Sequence, residues 1–147
     1  MSYISEALQY LDILDEAQSS KSAINSSMRV LLTHMLKCKY QNNYEHKSSW
    51  RASIKNSFEN MYDQFPRIGK GVLYKRFYLR EMNLEGIYQQ SRNNAAEETG
   101  LPLESFPEKC EWTREQLIDF NFITNFINTY GKDNPIDPNQ LSLFDVK

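Results

Sequence analysis

The sequence contains little of what stabilises small secreted or membrane proteins. Its 147 residues include two cysteines, Cys38 and Cys110, which are too few for a disulfide scaffold. No apolar run approaches the roughly 18 residues that a membrane span requires. The first residues also lack the basic segment and apolar core of a secretory signal. These absences predict a cytoplasmic protein with reduced thiols and no membrane contact.

Glycine and proline are also scarce, with five of each, so the chain holds few residues that interrupt a helix. Apolar residues recur at the helical period almost throughout. We therefore predict an all-α fold, an up-and-down bundle of about four to six helices without a sheet. The bundle is expected over residues 1–131 and an extended tail over residues 132–147. The predicted helices cover about residues 3–17, 20–40, 48–65, 72–81, 84–99 and 113–129.

Local signals mark several of these elements. Gly100 follows the fifth helix, where a left-handed residue is needed to end it. Thr113 and Gln116 have the spacing of a capping box, and Trp112 just before them can act as a hydrophobic staple. The segment 30–36 is apolar nearly all round, which predicts that the second helix is central and buried.

Charge is segregated along the chain. Residues 1–28 carry one Lys against four acids, residues 29–80 eleven Lys and Arg against three acids, and residues 81–147 five against twelve. Such asymmetry can mark a nucleic-acid-binding face, or helices that neutralise one another across a bundle. The basic residues that could contact DNA or RNA are Lys47, Arg51, Lys55, Lys70, Lys75, Arg76 and Arg80.

Four stretches appear together in an order that resembles a known family. They are the runs Val30–Lys37, Ser48–Ile54, Ala95–Cys110 and Trp112–Leu117. In that order they resemble the bacterial family catalogued as domain of unknown function twenty-nine, over about residues 5–123. The resemblance implies an all-α bundle of bacterial, phage or mobile-element origin, and it implies no activity. The family usually has Trp where this chain has Cys38. The resemblance therefore implies that the side chain at this position packs in the core and takes no part in a reaction.

No constellation of residues predicts a reaction. His34 and Cys38 stand four residues apart and could supply half of a zinc site, but His46 and Cys110 are lone, distant residues. The apolar helix around Cys38 also favours a buried, unreactive thiol. We therefore expect no enzymatic activity, no cofactor and no metal.

The tail carries a short motif that resembles the consensus pentapeptide by which bacterial replication and repair proteins dock on the DNA sliding clamp. Its residues are Gln140, Leu141, Ser142, Leu143 and Phe144. The resemblance implies that Gln140 enters a polar pocket and that Leu143 and Phe144 fill an apolar one. The alternative is that these apolar residues fold back onto the bundle of their own chain.

The leading hypothesis is therefore a non-enzymatic helical protein whose tail docks on the sliding clamp and modulates DNA replication or repair. The alternative hypothesis is a nucleic-acid-binding module that uses the basic central face. Oligomeric state is not predicted by any feature of the sequence.

Overall fold

The computed structural model describes residues 2–41, 47–65 and 79–131. Within these ranges it describes the side chains from Lys21 onward, except that of Lys47. Over these ranges the chain is helical and contains no strand, which confirms the predicted all-α fold. The elements are α1 (Ser2–Tyr40), α2 (Lys47–Asp63), α3 (Leu84–Thr99), a short 3-10 helix (Leu103–Ser105), α4 (Arg114–Leu117) and α5 (Phe120–Tyr130). No helix in these ranges is both long and apolar enough to cross a membrane.

α1 is one helix of 39 residues, and the predicted break between residues 17 and 20 was wrong. The intervening stretch, 18–22, is polar but contains neither Pro nor Gly. Ser, Gln and Lys each cost only a few tenths of a kcal/mol in a helix interior, so nothing there ends the helix. The predicted helix over 72–81 lies mostly outside the described residues, of which Leu79–Glu81 are helical.

The second half of α1 forms the centre of the hydrophobic core. It packs against both α2 and α3, which agrees with the predicted central position of this segment. One residue departs from that prediction, because Val30 is 47% exposed. The buried apolar residues of this half are Ile24, Met28, Leu31, Leu32, Met35, Leu36 and Cys38.

α2 presents one apolar face to this core. Trp50, Ile54, Phe58 and Met61 are buried, and their spacing of three or four residues places them on one side of the helix. Phe65, two residues beyond the end of α2, is also buried. Burial of such side chains contributes about 1.5–3 kcal/mol each before entropy is counted. These side chains therefore form the buried face of α2.

α3 has the predicted boundaries. The Asn83 side chain accepts a hydrogen bond from the Gly86 amide, with a separation of 3.1 Å. At the other end Gly100 has a φ of 74° and its amide donates to the Ala96 carbonyl. The left-handed conformation explains the glycine, since a side chain at this φ is strained.

The last predicted helix is interrupted. The capping box at its start is confirmed, because the Thr113 hydroxyl accepts from the Gln116 amide at 3.1 Å and the Thr113 amide donates to the Gln116 side chain at 3.0 Å. The helix then ends after Leu117, and Asp119 caps a second helix by accepting from the Asn121 amide at 2.9 Å. A continuous helix over 113–129 was therefore wrong, since Asp is a strong N-cap residue that competes with helix continuation.

The connection between α3 and α4 is held against α3 by side-chain hydrogen bonds. The Tyr88 hydroxyl donates to the Pro107 carbonyl at 2.6 Å. The Arg92 guanidinium donates twice to the Phe106 carbonyl, at 3.3 and 3.2 Å. Phe106 is itself buried in the core, so this connection is part of the folded domain.

Candidate functional site

The clamp-like pentapeptide, from Gln140 to Phe144, lies outside the described residues. What the structure describes is the point from which the tail departs. Gly131 follows α5, is buried, and its amide donates to the Ile127 carbonyl at 2.8 Å. The side-chain carbons of Arg51 lie where a Cβ on Gly131 would project. The backbone carbonyl of Ile127 is equally close to that point, so a Cβ at this position would force the backbone or Arg51 to shift.

Seven basic residues were predicted to contact nucleic acid, and the structure describes the side chains of three of them. Lys55 and Arg80 are exposed, whereas Arg51 is half-buried beside Gly131. Arg51 and Lys55 are four residues apart on α2, so they lie on neighbouring turns of one face. The remaining positions fall outside the described side chains: Lys47, Lys70, Lys75 and Arg76.

Ion pairs join the basic central segment to the acidic C-terminal segment, and two of them lie within the described residues. Lys37 Nζ lies 3.3 Å from Glu98 Oε1, between α1 and α3. Lys39 pairs with Glu111, whose other carboxylate oxygen accepts from the Tyr40 hydroxyl at 2.7 Å. These pairs agree with the interpretation that oppositely charged segments neutralise one another within the bundle.

The Lys39 ammonium also lies among three aromatic rings. Its Nζ is 5.2 Å from the ring centroids of Tyr40 and Tyr130 and 5.9 Å from that of Trp112. Burial opposes the charge on Lys39, but the hydrogen bond and charge of Glu111 outweigh it and raise the pKa of this side chain. Aromatic rings arranged in this way can bind a ligand cation. Here the protein's own lysine occupies the arrangement and ties the end of α1 to α5.

The two thiols differ in how far the protein encloses them. Cys38 is fully buried. Cys110 is half-buried with its Sγ 3.3 Å from the Trp112 carbonyl, and burial raises its pKa to about 11. A thiol with so high a pKa holds almost no thiolate near neutral pH, and the thiolate is the reactive form.

His34 lies one turn before Cys38 on α1, where burial, followed by the charge of Lys37, lowers its pKa. Its Nδ1 is buried and has no hydrogen-bond partner in the part of the chain that the structure describes. Within the described ranges, no group of three His, Cys, Asp or Glu residues could hold a metal ion.

The most distinct surface was not predicted from the sequence. It lies between α2 and α5 and consists of two adjoining clefts that share Phe58, Glu59 and Phe120. We call it the Phe120 groove, because Phe120 is 63% exposed beside it. One cleft, of about 260 Å³, is also lined by Lys55, Ile123, Thr124 and Ile127. The other, about 650 Å³ and more open, is also lined by Tyr62, Asp63, Ile118 and Asp119.

The only sequence signal for this groove is the pair Asp119–Phe120. Once Asp119 is recognised as an N-cap, Phe120 becomes the first residue of α5. At that position the side chain shares a helix face with Ile123 and Ile127, which line the smaller cleft with it. The groove itself results from tertiary packing of α2 against α5, which helical periodicity does not predict.

The fold and these surfaces define an all-α helical bundle domain. The chain belongs to the family described as Domain of unknown function DUF29, whose pattern matches residues 9–123. This confirms the resemblance inferred from the four sequence runs. No curated protein and no solved structure matches the chain. The family match ends within α5, so the clamp-like tail lies beyond it.

Proposed function

We propose that the protein is a non-enzymatic helical module whose C-terminal tail docks on the bacterial DNA sliding clamp and thereby acts in DNA replication or repair. The observation that carries the proposal is the pentapeptide Gln140–Phe144, which resembles the clamp-docking consensus. Gln140 would hydrogen-bond in a polar pocket, and Leu143 and Phe144 would anchor in an apolar one. Leu141 and Ser142 would set the extended path between them.

The position of the motif supports this role. The described core extends as far along the chain as Phe126, and α5 ends at Tyr130. Eight residues separate Gly131 from Gln140, and two of these, Pro135 and Pro138, favour an extended chain. A linker of that length spans up to about 28 Å, which is enough to present a peptide away from the bundle surface.

A non-enzymatic role is supported by the chemistry of the described residues. The Cys110 thiol is protonated at neutral pH, because burial raises its pKa to about 11. The Cys38 thiol is enclosed by the core. Neither environment resembles that of a nucleophilic cysteine, which requires a lowered pKa and access to substrate.

The test is direct binding of the full chain to a purified bacterial sliding clamp. We expect a dissociation constant on the order of micromolar, because a five-residue peptide buries little area. Leu143→Ala with Phe144→Ala should weaken binding at least about tenfold, since apolar anchors dominate small interfaces. Gln140→Ala should do the same by leaving polar groups of the pocket unpaired.

Val146→Ala provides a matched control, because it shortens an apolar side chain in the same tail outside the motif. It should leave clamp affinity unchanged. A chain that ends at Gly131 should lose clamp binding while its melting temperature stays within about 1 °C of that of the full chain. The proposal would be contradicted if the truncated chain bound the clamp as well as the full chain does. It would also be contradicted if the full chain had no clamp affinity and truncation lowered the melting temperature markedly, a result that favours a tail packed on the bundle.

The nucleic-acid-binding hypothesis remains the alternative proposal. Lys55 and Arg80 are exposed and available for phosphate contacts. The ion pairs of Lys37 with Glu98 and of Lys39 with Glu111 reduce the positive charge that the central segment can offer. Two results would support this alternative instead. The affinity for DNA or RNA would fall steeply with salt, and Lys55→Glu together with Arg80→Glu would abolish it.

A further inference from the structure

We propose that the Phe120 groove is the contact surface of a homodimer, in which Phe120 of each copy enters the smaller cleft of the other. This inference goes beyond the clamp-docking role and does not depend on it. It uses only α2, α5 and the turn that precedes α5.

The first observation is the apolar character of the surface around Phe120. A single exposed aromatic residue is common on protein surfaces, but Phe120 adjoins Phe58, Ile123 and the half-buried Ile127. The rings of Phe58 and Phe120 lie 6.4 Å apart, tilted by 52°. The exposed ring therefore continues an apolar patch that reaches into the core, and such continuity is typical of an interaction site.

The second observation is that a projection and a cleft of suitable size stand side by side. The smaller cleft has a volume of about 260 Å³, whereas a cavity of about 150 Å³ already accommodates benzene. A phenyl ring from a second copy therefore fits. In a two-fold symmetric contact each copy supplies both the projection and the cleft, so one surface is sufficient for both partners.

The third observation is the distribution of charge along the groove. Lys55 lines the smaller cleft, whereas Asp63 and Asp119 line the larger one, and Glu59 lines both. Lys55, Glu59 and Asp119 are exposed. Lys55 thus lies towards the Ile127 end of the groove, Asp63 and Asp119 lie at the other end, and Glu59 lies between them. A two-fold axis close to Phe120 places Lys55 of each copy opposite Asp63 and Asp119 of the other, which brings opposite charges together twice across the contact.

The size of the groove sets the expected affinity of the dimer. Few residues line it, so the contact falls at the low end of specific interfaces, below about 1,200 Å² in total. We therefore expect a dissociation constant on the order of 10–100 micromolar. Such a dimer forms at high local concentration and exchanges readily.

The experiment is sedimentation equilibrium of the full chain from about 5 to about 500 micromolar, a range that brackets the expected constant. The average mass should rise from that of the monomer towards that of the dimer. Phe120→Ser should weaken association at least about tenfold, because it removes the anchor of the contact. Its melting temperature serves as the folding control and should change little, since Phe120 is 63% exposed.

Val30→Ser is the matched control. Val30 is the other large apolar residue that is exposed among the described residues, at 47%, and it lies on α1. Its substitution should leave association unchanged. Equal loss of association in both variants would show that exposed apolar surface in general drives self-association, and would overturn the proposal.

Charge reversal tests the two-fold arrangement. Lys55→Glu and Asp63→Lys should each weaken association, and the double variant should recover most of it, because the exchanged charges again face each other across the axis. A monomeric chain at every concentration, or a double variant no better than the singles, would overturn the proposal. A chain ending at Gly131 should still form the dimer. If instead the full chain is monomeric and truncation at Gly131 exposes the groove to an apolar dye, the tail is its occupant.

Discussion

Cys38 illustrates how a single residue can be assigned to packing. It is fully buried on the central helix, among other buried apolar side chains. The side chain is therefore best understood as part of the core.

We predict that Cys38→Ala lowers the free energy of unfolding by about 1–2 kcal/mol, because it leaves a small cavity in a core that cannot fully collapse. Cys38→Ser should cost somewhat more, since it places a hydroxyl in the same apolar site. Urea denaturation measures both. Rapid reaction of Cys38 with a thiol reagent in the folded protein, in a variant lacking Cys110, would contradict burial and reopen a catalytic role.

His34 is predicted to make the fold sensitive to mild acid. Burial, followed by the charge of Lys37, lowers its pKa from the ordinary value of 6.5, so the unfolded chain binds a proton more readily than the folded one. Stability associated with the neutral ring is fully present above pH 6.5. It is lost as the pH falls towards and through the folded pKa.

The measurement is the free energy of unfolding of the wild type and of His34→Gln between pH 7.5 and about pH 5, above the range in which most carboxylates titrate. The wild type should lose stability on acidification more steeply than the variant. Parallel pH profiles would show that His34 is protonated equally in both states.

At the scale of the elements, local signals account for the ends of helices better than for their continuity. The end of α3 at Gly100 and the capping box at Thr113 each depend on residues within one turn, and both are visible in the sequence. The continuity of α1 through residues 18–22 was missed because a polar run only weakens a helix. The interruption after Leu117 was missed because Asp119 is compatible with a helix interior until its side chain caps the next helix.

The two caps give a prediction about the elements that they start. Thr113→Ala and Asp119→Ala should each lower the free energy of unfolding by about 1 kcal/mol, because each leaves an amide of the first turn without its partner. Thr129→Ala is the matched control, since Thr129 is exposed in the last turn of α5 and bonds only the Asn125 carbonyl among the contacts described. It should change stability by less than about 0.5 kcal/mol. Equal effects at all three positions would argue against a capping role.

At the scale of the whole molecule, the sequence predicted the fold class, the central helix and the family, because these follow from periodicity and ordered motifs. It did not predict the Phe120 groove, which requires α2 and α5 to be placed side by side. It also left two interpretations of the charge segregation open. The pairing of Lys37 with Glu98 and of Lys39 with Glu111 depends on residues about 60 to 70 positions apart, which only the tertiary structure brings together.

The unbroken α1 has a consequence for how the protein behaves in solution. Its 39 residues form a rod about 58 Å long, whereas a compact chain of 147 residues, with a radius of gyration of about 15 Å, is only about 40 Å across. A helix longer than that diameter makes the molecule elongated, so its friction exceeds that of a sphere of equal mass. Gel filtration against globular standards would overestimate the mass of the monomer. Sedimentation equilibrium is independent of shape, and for that reason it is the measurement that can distinguish one copy from two.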